Sequence, residues 1–259
     1  MTGGFAAHVA QLGRRSIVRT LRQPANIFFS LAFPLMLMAV NAGGLEPATE
    51  LPGFPAETFL AFALAVPFIQ GALFATMNAG TDLARDIQIG FLNRLGLTTM
   101  RGAALIAGQL AGVVALGLLQ ALVYLGAGLI VGVELASGLP GALVLIGLSG
   151  LYALGFGAIG TLMALRTGSG ESIQGLFPVL FVFLLISSMN MPRNLIEVDW
   201  FRFAASANPV SYMVEAVRSL IIEGWNAQAL LLGVGFALAI LLVGVTASAA
   251  SLKTRLTRT

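Results

Sequence analysis

Cysteine is absent from the 259 residues, which excludes a disulfide, a thiol nucleophile and a thiolate metal site. Histidine occurs once, as His8, and the single lysine is Lys253, preceded by Leu252. The chain therefore has no G-x-x-x-x-G-K-[ST] loop and cannot cradle and hydrolyse ATP by that route. Charge is scarce: 10% of residues are charged, against about 25% in a soluble domain. No block of like charges is long enough for a nucleic-acid arm, so no nucleic-acid partner is expected. No paired-carboxylate motif, metal-ligand spacing or nucleophile–base set is present, so neither a catalytic residue nor a metal site is expected. Asp82 and Asp86 come nearest to a carboxylate pair, but Arg85 between them reads as a solvated loop.

What the chain does have is apolar length. It is 58% hydrophobic with a mean hydropathy of +0.92, which marks a polytopic all-α membrane protein. Apolar runs between charged or Pro/Gly breaks predict about six spans: Ile27–Gly43, Phe59–Gly80, Ala103–Val133, Pro140–Leu165, Ile173–Met191 and Ala227–Ser251. The third run is long enough to tilt or to begin in the interface. Residues 1–259 read as a single domain. Val40-Asn41-Ala42 offers a cleavage sequence after the first run, but the leader would exceed the usual length and is expected to be retained.

Basic residues set the expected orientation. Arg14, Arg15, Arg19 and Arg22 precede the first span, and Arg85, Arg94 and Arg101 lie between the second and third. Arg166 follows the fourth, and Lys253, Arg255 and Arg258 follow the sixth. The opposite side holds only Arg193, Arg202 and Arg218, with Glu46, Glu50, Glu57 and Glu134 in loops lacking basic residues. The positive-inside rule puts both termini in the cytoplasm, in a multi-pass protein of the cytoplasmic membrane.

Three segments outside the spans stand out. Residues 1–24 read as a basic amphipathic helix on the membrane surface, with Phe5, Val9, Leu12, Ile17 and Leu21 opposite the arginines. Pro24 makes an elbow at Gln23. Residues 82–101 read as a cytoplasmic loop whose short helix carries Ile87, Phe91, Leu92 and Leu95 on one apolar face, suited to a groove on a soluble protein. Residues 192–226 read as an external re-entrant region. Within it Asn208 suits an N-cap, and Pro209 suits the first helical position. Val210, Met213, Val214, Val217 and Ile221 form one stripe, and Gly224 can end the helix. Glu215 and Arg218, three apart, are expected to pair and to cap an exit path.

The spans carry small and aromatic residues. Gly108/Gly112, Gly128/Gly132 and Gly155, Gly157 and Gly160 permit close helix approach. Pro34, Pro67 and Pro178 are expected kinks. Phe62, Pro67, Phe68, Phe74, Phe181 and Phe183 are candidates to line a pathway or to face lipid. Gln70, Asn78, Gln109, Gln120 and Asn190 suit hydrogen bonds between helices.

The run Asn208-Pro209-Val210-Ser211-Tyr212-Met213-Val214-Glu215-Ala216-Val217-Arg218 resembles the signature of ABC type 2 transporter permeases. Asp86-Ile-Gln-Ile-Gly90-Phe91-Leu92-Asn-Arg94-Leu95-Gly-Leu-Thr98-Thr-Met-Arg101 is similar to that family's cytoplasmic loop. Gln88 and Asn93 stand where acidic residues are usual, and Thr99 replaces the usual proline. Glu171 to Gln174, Phe177-Pro178 and Ser187 to Pro192 are similar to the daunorubicin-resistance branch. The resemblance runs from about Arg14 to the C-terminus. It implies a permease subunit that pairs with a second permease copy and docks a separate ABC ATPase, which would hold ATP and magnesium. This chain itself would carry no cofactor. Asp86, Gly90, Phe91, Leu92, Arg94, Leu95 and Arg101 would couple to that ATPase. Asn208, Pro209, Tyr212, Glu215 and Arg218 would form the external helix. The implied cargo is a lipophilic small molecule, with a lipid or lipid-linked glycan as the alternative. An ion-coupled carrier is the distant rival; such carriers place acidic residues or histidine inside the membrane, where this chain has amides.

Overall fold

The computed structural model describes residues 4–96 and 102–257. All their regular structure is helical. Helix α1 (Phe5–Leu21) leads through Gln23 into α2 (Pro24–Leu45). A short 3-10 turn, Glu46–Glu50, precedes α3 (Phe59–Ala63) and α4 (Ala65–Gln88). Then come α5 (Phe91–Gly96), α6 (Gly102–Ile130), α7 (Gly138–Thr167) and α8 (Gly170–Leu185). Two short helices, α9 (Asp199–Ala207) and α10 (Pro209–Arg218), precede the last, α11 (Ala227–Thr257).

Among the described residues, five helices are long and apolar enough to cross a membrane: α2, the α3–α4 run, α6, α7 and α11. The fifth expected span is different. Helix α8 has 16 residues, and residues 186–192 continue it only as bends and turns. At 1.5 Å per residue it reaches about 24 Å, short of a hydrocarbon core of about 30 Å.

Helix α4 is the centre of the bundle: 83% of its most apolar window is buried, against 17% for α2 and for α11. Missing side chains make that possible. A Cβ on Gly160 of α7 would stand 2.1 Å from the Thr76 carbonyl oxygen, so only glycine lets α4 and α7 approach so closely. Thr76 Oγ1 donates to the Phe156 carbonyl across the same contact, at 2.9 Å.

The prolines act through the hydrogen bonds they remove. Pro67 has no N–H for the Ala63 carbonyl, and the helix lapses at Leu64, separating α3 from α4. Pro34 likewise frees the Ser30 carbonyl in α2. The buried Tyr124 hydroxyl of α6 donates to it, as does Gln120 Nε2 at 3.5 Å. These bonds re-satisfy the freed carbonyl from a neighbouring helix.

Helix α1 is seated mainly by small residues, although Leu12 of its apolar face also packs against α6. Gly13, Ser16 and Thr20 form its buried face. Leu12 and Ser16 press on Gly108 and Gly112 of α6, and Ser16 Oγ donates to the Gln109 carbonyl at 2.9 Å. Small residues on both helices make this seat, while Phe5 and Leu21 stay exposed. The expected loop 82–101 is also shorter than predicted. Residues 82–88 are the last turns of α4, because Asp82 and Asp86 are neutralised by arginines of α1 and need no solvated loop.

Candidate functional site

The first cluster lies at the end of the bundle where α1, α4 and α5 meet. Arg15 donates both Nη atoms to Asp86, at 2.9 and 2.8 Å. Arg19 Nη1 also reaches Asp86 at 2.9 Å, and Arg19 Nε sits 2.9 Å from Asp82. Gln23 Nε2 adds a bond to Asp82 at 3.1 Å. Bidentate geometry makes such pairs strong and directional. Bonding to Asp86 raises Arg15 above its ordinary value, outweighing partial burial. The Arg15 guanidinium also lies 4.0 Å from the centre of the Phe91 ring, joining α1 to α5. Gly90 turns the chain between α4 and α5 at φ +69°, a conformation that glycine adopts without strain. Leu92 is 2% exposed and joins the core cluster that includes Leu83, Ala84 and Leu105. It seats α5 on the bundle rather than offering a docking surface. Arg94 is exposed and donates to the Ile89 carbonyl at 3.2 Å. The Leu95 side chain and Arg101 lie outside the described residues.

Next to this junction a cavity of about 510 Å³ opens between α2, α4 and α8. Asn26, Asn78, Thr81 and Gln174 give it neutral polar groups, and Phe29, Phe74 and Phe177 give it aromatic walls. Asp82 and Gln23 line it too, so the ion cluster and the cavity share residues. Beyond it four half-buried rings run together. Phe74 packs on Phe33 at 6.1 Å and on Phe177 at 5.3 Å, and Phe181 packs on Phe177 at 5.9 Å. Of the predicted pathway residues, only Phe74 and Phe181 belong here. Phe62 and Phe68 are 0% and 2% exposed, Pro67 is buried beside them, and Phe183 is 51% exposed on the outside of α8.

The second cluster occupies the opposite end, around α10. The predicted stripe of Val210, Met213, Val214, Val217 and Ile221 is buried, and Gly224 ends the helical run at φ +92°. Asn208 caps two helices with one amide. Its Oδ1 accepts from Val210 N–H at 2.9 Å, and its Nδ2 donates to the Phe183 and Ile186 carbonyls at 2.5 and 2.8 Å. Tyr212 stacks on Phe236 of α11 at 4.9 Å and donates to the Ser206 carbonyl at 2.8 Å.

The expected Glu215–Arg218 pair does not form. Glu215 instead takes a bidentate bond from Arg193, at 2.7 and 2.6 Å, with that guanidinium 4.3 Å from the centre of the Tyr212 ring. Arg218 is 3% exposed and bonds backbone carbonyls instead, with Glu215 and Glu223 still near enough to favour its charge. Its Nη1 donates to the Ser188 carbonyl at 2.9 Å, Nη2 to Met189 at 3.0 Å, and Nε to Phe62 at 3.3 Å. It also lies 3.5 Å from the centre of the Phe62 ring. Burial lowers Arg218 to about 9, so it still carries its proton at neutral pH. A cavity of about 590 Å³ opens here, lined by Arg193, Arg202, Arg218, Glu215, Glu223 and the predicted pathway residue Phe62 among others.

Sequence reasoning passed over Arg15, Arg19, Asp82, Arg193 and Ser211 as site residues. For the first three a signal existed: Arg15/Arg19 and Asp82/Asp86 are each four apart, so two helix faces carry matched opposite charges. Nothing local points from Arg193 to Glu215, 22 residues away. No group of three or more histidine or acidic residues among the described residues is arranged to hold a metal ion.

Comparison with known proteins assigns this architecture. The family model described as ABC-2 type transporter matches residues 7–222. The chain is 30% identical over 164 residues to the probable doxorubicin resistance ABC transporter permease protein DrrC of Mycobacterium tuberculosis. That match spans 61% of this chain and 58% of the relative. It is 27% identical over 200 residues to the daunorubicin resistance ABC transporter permease protein DrrB1 of Streptomyces coeruleorubidus, spanning 75% of this chain and 66% of the relative. The chain thus covers less than two thirds of either relative's length. It belongs to the ABC-2 type transporter family.

Proposed function

We propose, from membership of the ABC-2 type transporter family, that this chain is the membrane-spanning subunit of an ATP-driven exporter. A separate ATPase subunit supplies the energy, since the sequence has no phosphate-binding loop. Both termini and the α1–α4–α5 junction face the cytoplasm, by the bias of basic residues to that end. The ATPase docks at the turn from α4 into α5, where Ile89 and Arg94 are exposed and Phe91 is half-buried beside Arg15. A second copy of the permease covers the open side of the cavity along α2 and α8, where Phe28, Met36, Val40 and Val179 are exposed.

One observation carries this reading: Asp82 and Gln23 belong both to the ion cluster and to the cavity wall. A push on α5 or α1 is therefore felt directly where cargo would sit. The wall suits a planar aromatic amphiphile, which stacks on Phe29, Phe74 and Phe177 and hydrogen-bonds to Asn26, Asn78 and Gln174. The relatives named for doxorubicin and daunorubicin resistance support that class. A lipid or lipid-linked glycan is the second reading. Phe29 favours it, being 65% exposed at the cavity edge, where an entry from the bilayer would lie.

The test is uptake of an anthracycline into inside-out vesicles holding the permease and its ATPase. ATP-dependent uptake that falls in Phe74→Ala and Asn78→Ala supports the drug reading. Uptake of a labelled lipid but not of the drug transfers the cavity to the second reading. No ATP-dependent movement of either rejects export.

A further inference from the structure

Helix α8 stops at Leu185, although Ile186, Met189 and Met191 continue its apolar character and no glycine or proline intervenes before Pro192. The stop has another cause. Every backbone carbonyl wants a partner, and a helix supplies it from the next turn. Here side chains of α10 supply it instead. Asn208 takes the Phe183 and Ile186 carbonyls, and Arg218 takes those of Ser188 and Met189. Ser211 Oγ accepts the Ser188 N–H at 3.1 Å and donates to the Ala205 carbonyl at the end of α9, at 2.6 Å. Four carbonyls and one N–H at the end of α8 and just past it are thus bound from outside it, while Ser187 Oγ binds the Leu184 carbonyl locally.

Arg218 adds a second connection. The same guanidinium bonds the Phe62 carbonyl and covers the Phe62 ring, next to the break at Leu64. No carboxylate stands within 4.0 Å of it among the described residues. Its direct partners are carbonyls beyond the negative end of α8, and Glu215 and Glu223 favour its charge from farther off. One buried cation thus fastens the end of α8 to α3.

We propose that the Asn208–Ser211–Arg218 face of α10 is a positioning device that fixes where α8 ends and locks that end to α3. The end of α8, α10 and α3 then move as one body. Since α8 gives Gln174 and Phe177 to the wall of the cargo cavity, the device fixes the far end of a helix that lines it. This extends the export reading, but its main test requires neither cargo nor ATPase, so its failure is distinct from a failure of that reading.

The absence of native cysteine permits clean spin labelling. One label pair at Phe183 and Ile130 reports the end of α8 against the bundle, and both positions are exposed. A control pair at Leu122 and Leu143, also exposed, reports the bundle itself. The wild-type chain should give one narrow distance for each pair. Ser211→Ala and Arg218→Lys should broaden the first pair only, and Arg218→Gln should broaden it most. In the paired complex the same variants should lower cargo moved per ATP by roughly tenfold or more, as small misplacements do elsewhere. Narrow distributions at the first pair in Ser211→Ala and Arg218→Lys would overturn the proposal. Equal broadening of both pairs would also overturn it, by assigning these residues to general stability. Should Arg218→Gln fail to accumulate, Ser211→Ala decides.

Discussion

At the end of the bundle bearing α1, Arg15 and Arg19 meet carboxylates at 2.8–2.9 Å while 39% and 19% of their side chains stay exposed. At the other end Arg218 is 3% exposed and meets only backbone carbonyls and a ring. The same residue type serves two ends differently. The arginines are partly hydrated, so each can part and re-form at modest cost while the other still holds the buried Asp86 and Asp82 carboxylates, 3% and 11% exposed. A guanidinium holding three buried carbonyls at once parts from them at greater cost, because each bond is charge-assisted and each acceptor lies in the interior. The first arrangement suits a junction that must transmit movement. The second suits an end that must keep its shape.

The largest expected effect breaks the buried end. Arg218→Ala should cost on the order of 3–5 kcal/mol, since three charge-assisted bonds vanish and their carbonyls stay buried. Thermal unfolding of the purified chain in detergent measures it, and a loss under about 1 kcal/mol would erase the contrast. Next comes Asp86→Asn, which removes the shared acceptor of Arg15 and Arg19. It should cost about 1–2 kcal/mol. High salt should shrink this difference, because the arginines are partly exposed, and should leave the Arg218 effect unchanged. Equal salt sensitivity at both ends would contradict the distinction.

Glu215→Gln should cost less than about 1 kcal/mol, because its pair with Arg193 is partly solvated. A loss as large as that of Arg218→Ala would mean that the two residues act as one unit after all. Arg202→Gln is the smallest effect. Its pair with Asp199 is half exposed on one side and mostly exposed on the other, so stability should stay within about 0.5 kcal/mol.

Much of the fold was legible because the bilayer imposes strong rules. Apolar length marks α2, α4, α6, α7 and α11, and Pro24 and Gly224 mark an elbow and a stop where the structure has them. The stripe of α10 and the N-cap of Asn208 follow from local chemistry. What escaped depends on partners distant in sequence. The end of α8 is set by side chains of α10, some twenty or more residues on. The last turns of α4 stay helical because α1 neutralises Asp82 and Asp86. Glu215 and Arg218 have the spacing of a pair, yet each finds better geometry elsewhere. Among the aromatics, apolarity alone did not separate Phe74 and Phe181 beside one cavity, or Phe62 at the other, from Phe68 in the core.

On the proposed export reading, the Arg15/Arg19–Asp82/Asp86 junction passes the work of a partner ATPase to the cavity beside it. The direct measurement is the ratio of anthracycline transported to ATP hydrolysed, in proteoliposomes containing the permease and its ATPase. Wild-type complex should show a steady ratio. Asp86→Asn complex, assembled to the same level, should still hydrolyse ATP while the ratio falls by roughly tenfold, equivalent to about 1.4 kcal/mol of lost coupling. An unchanged ratio in Asp86→Asn, with hydrolysis and assembly intact, would contradict the account.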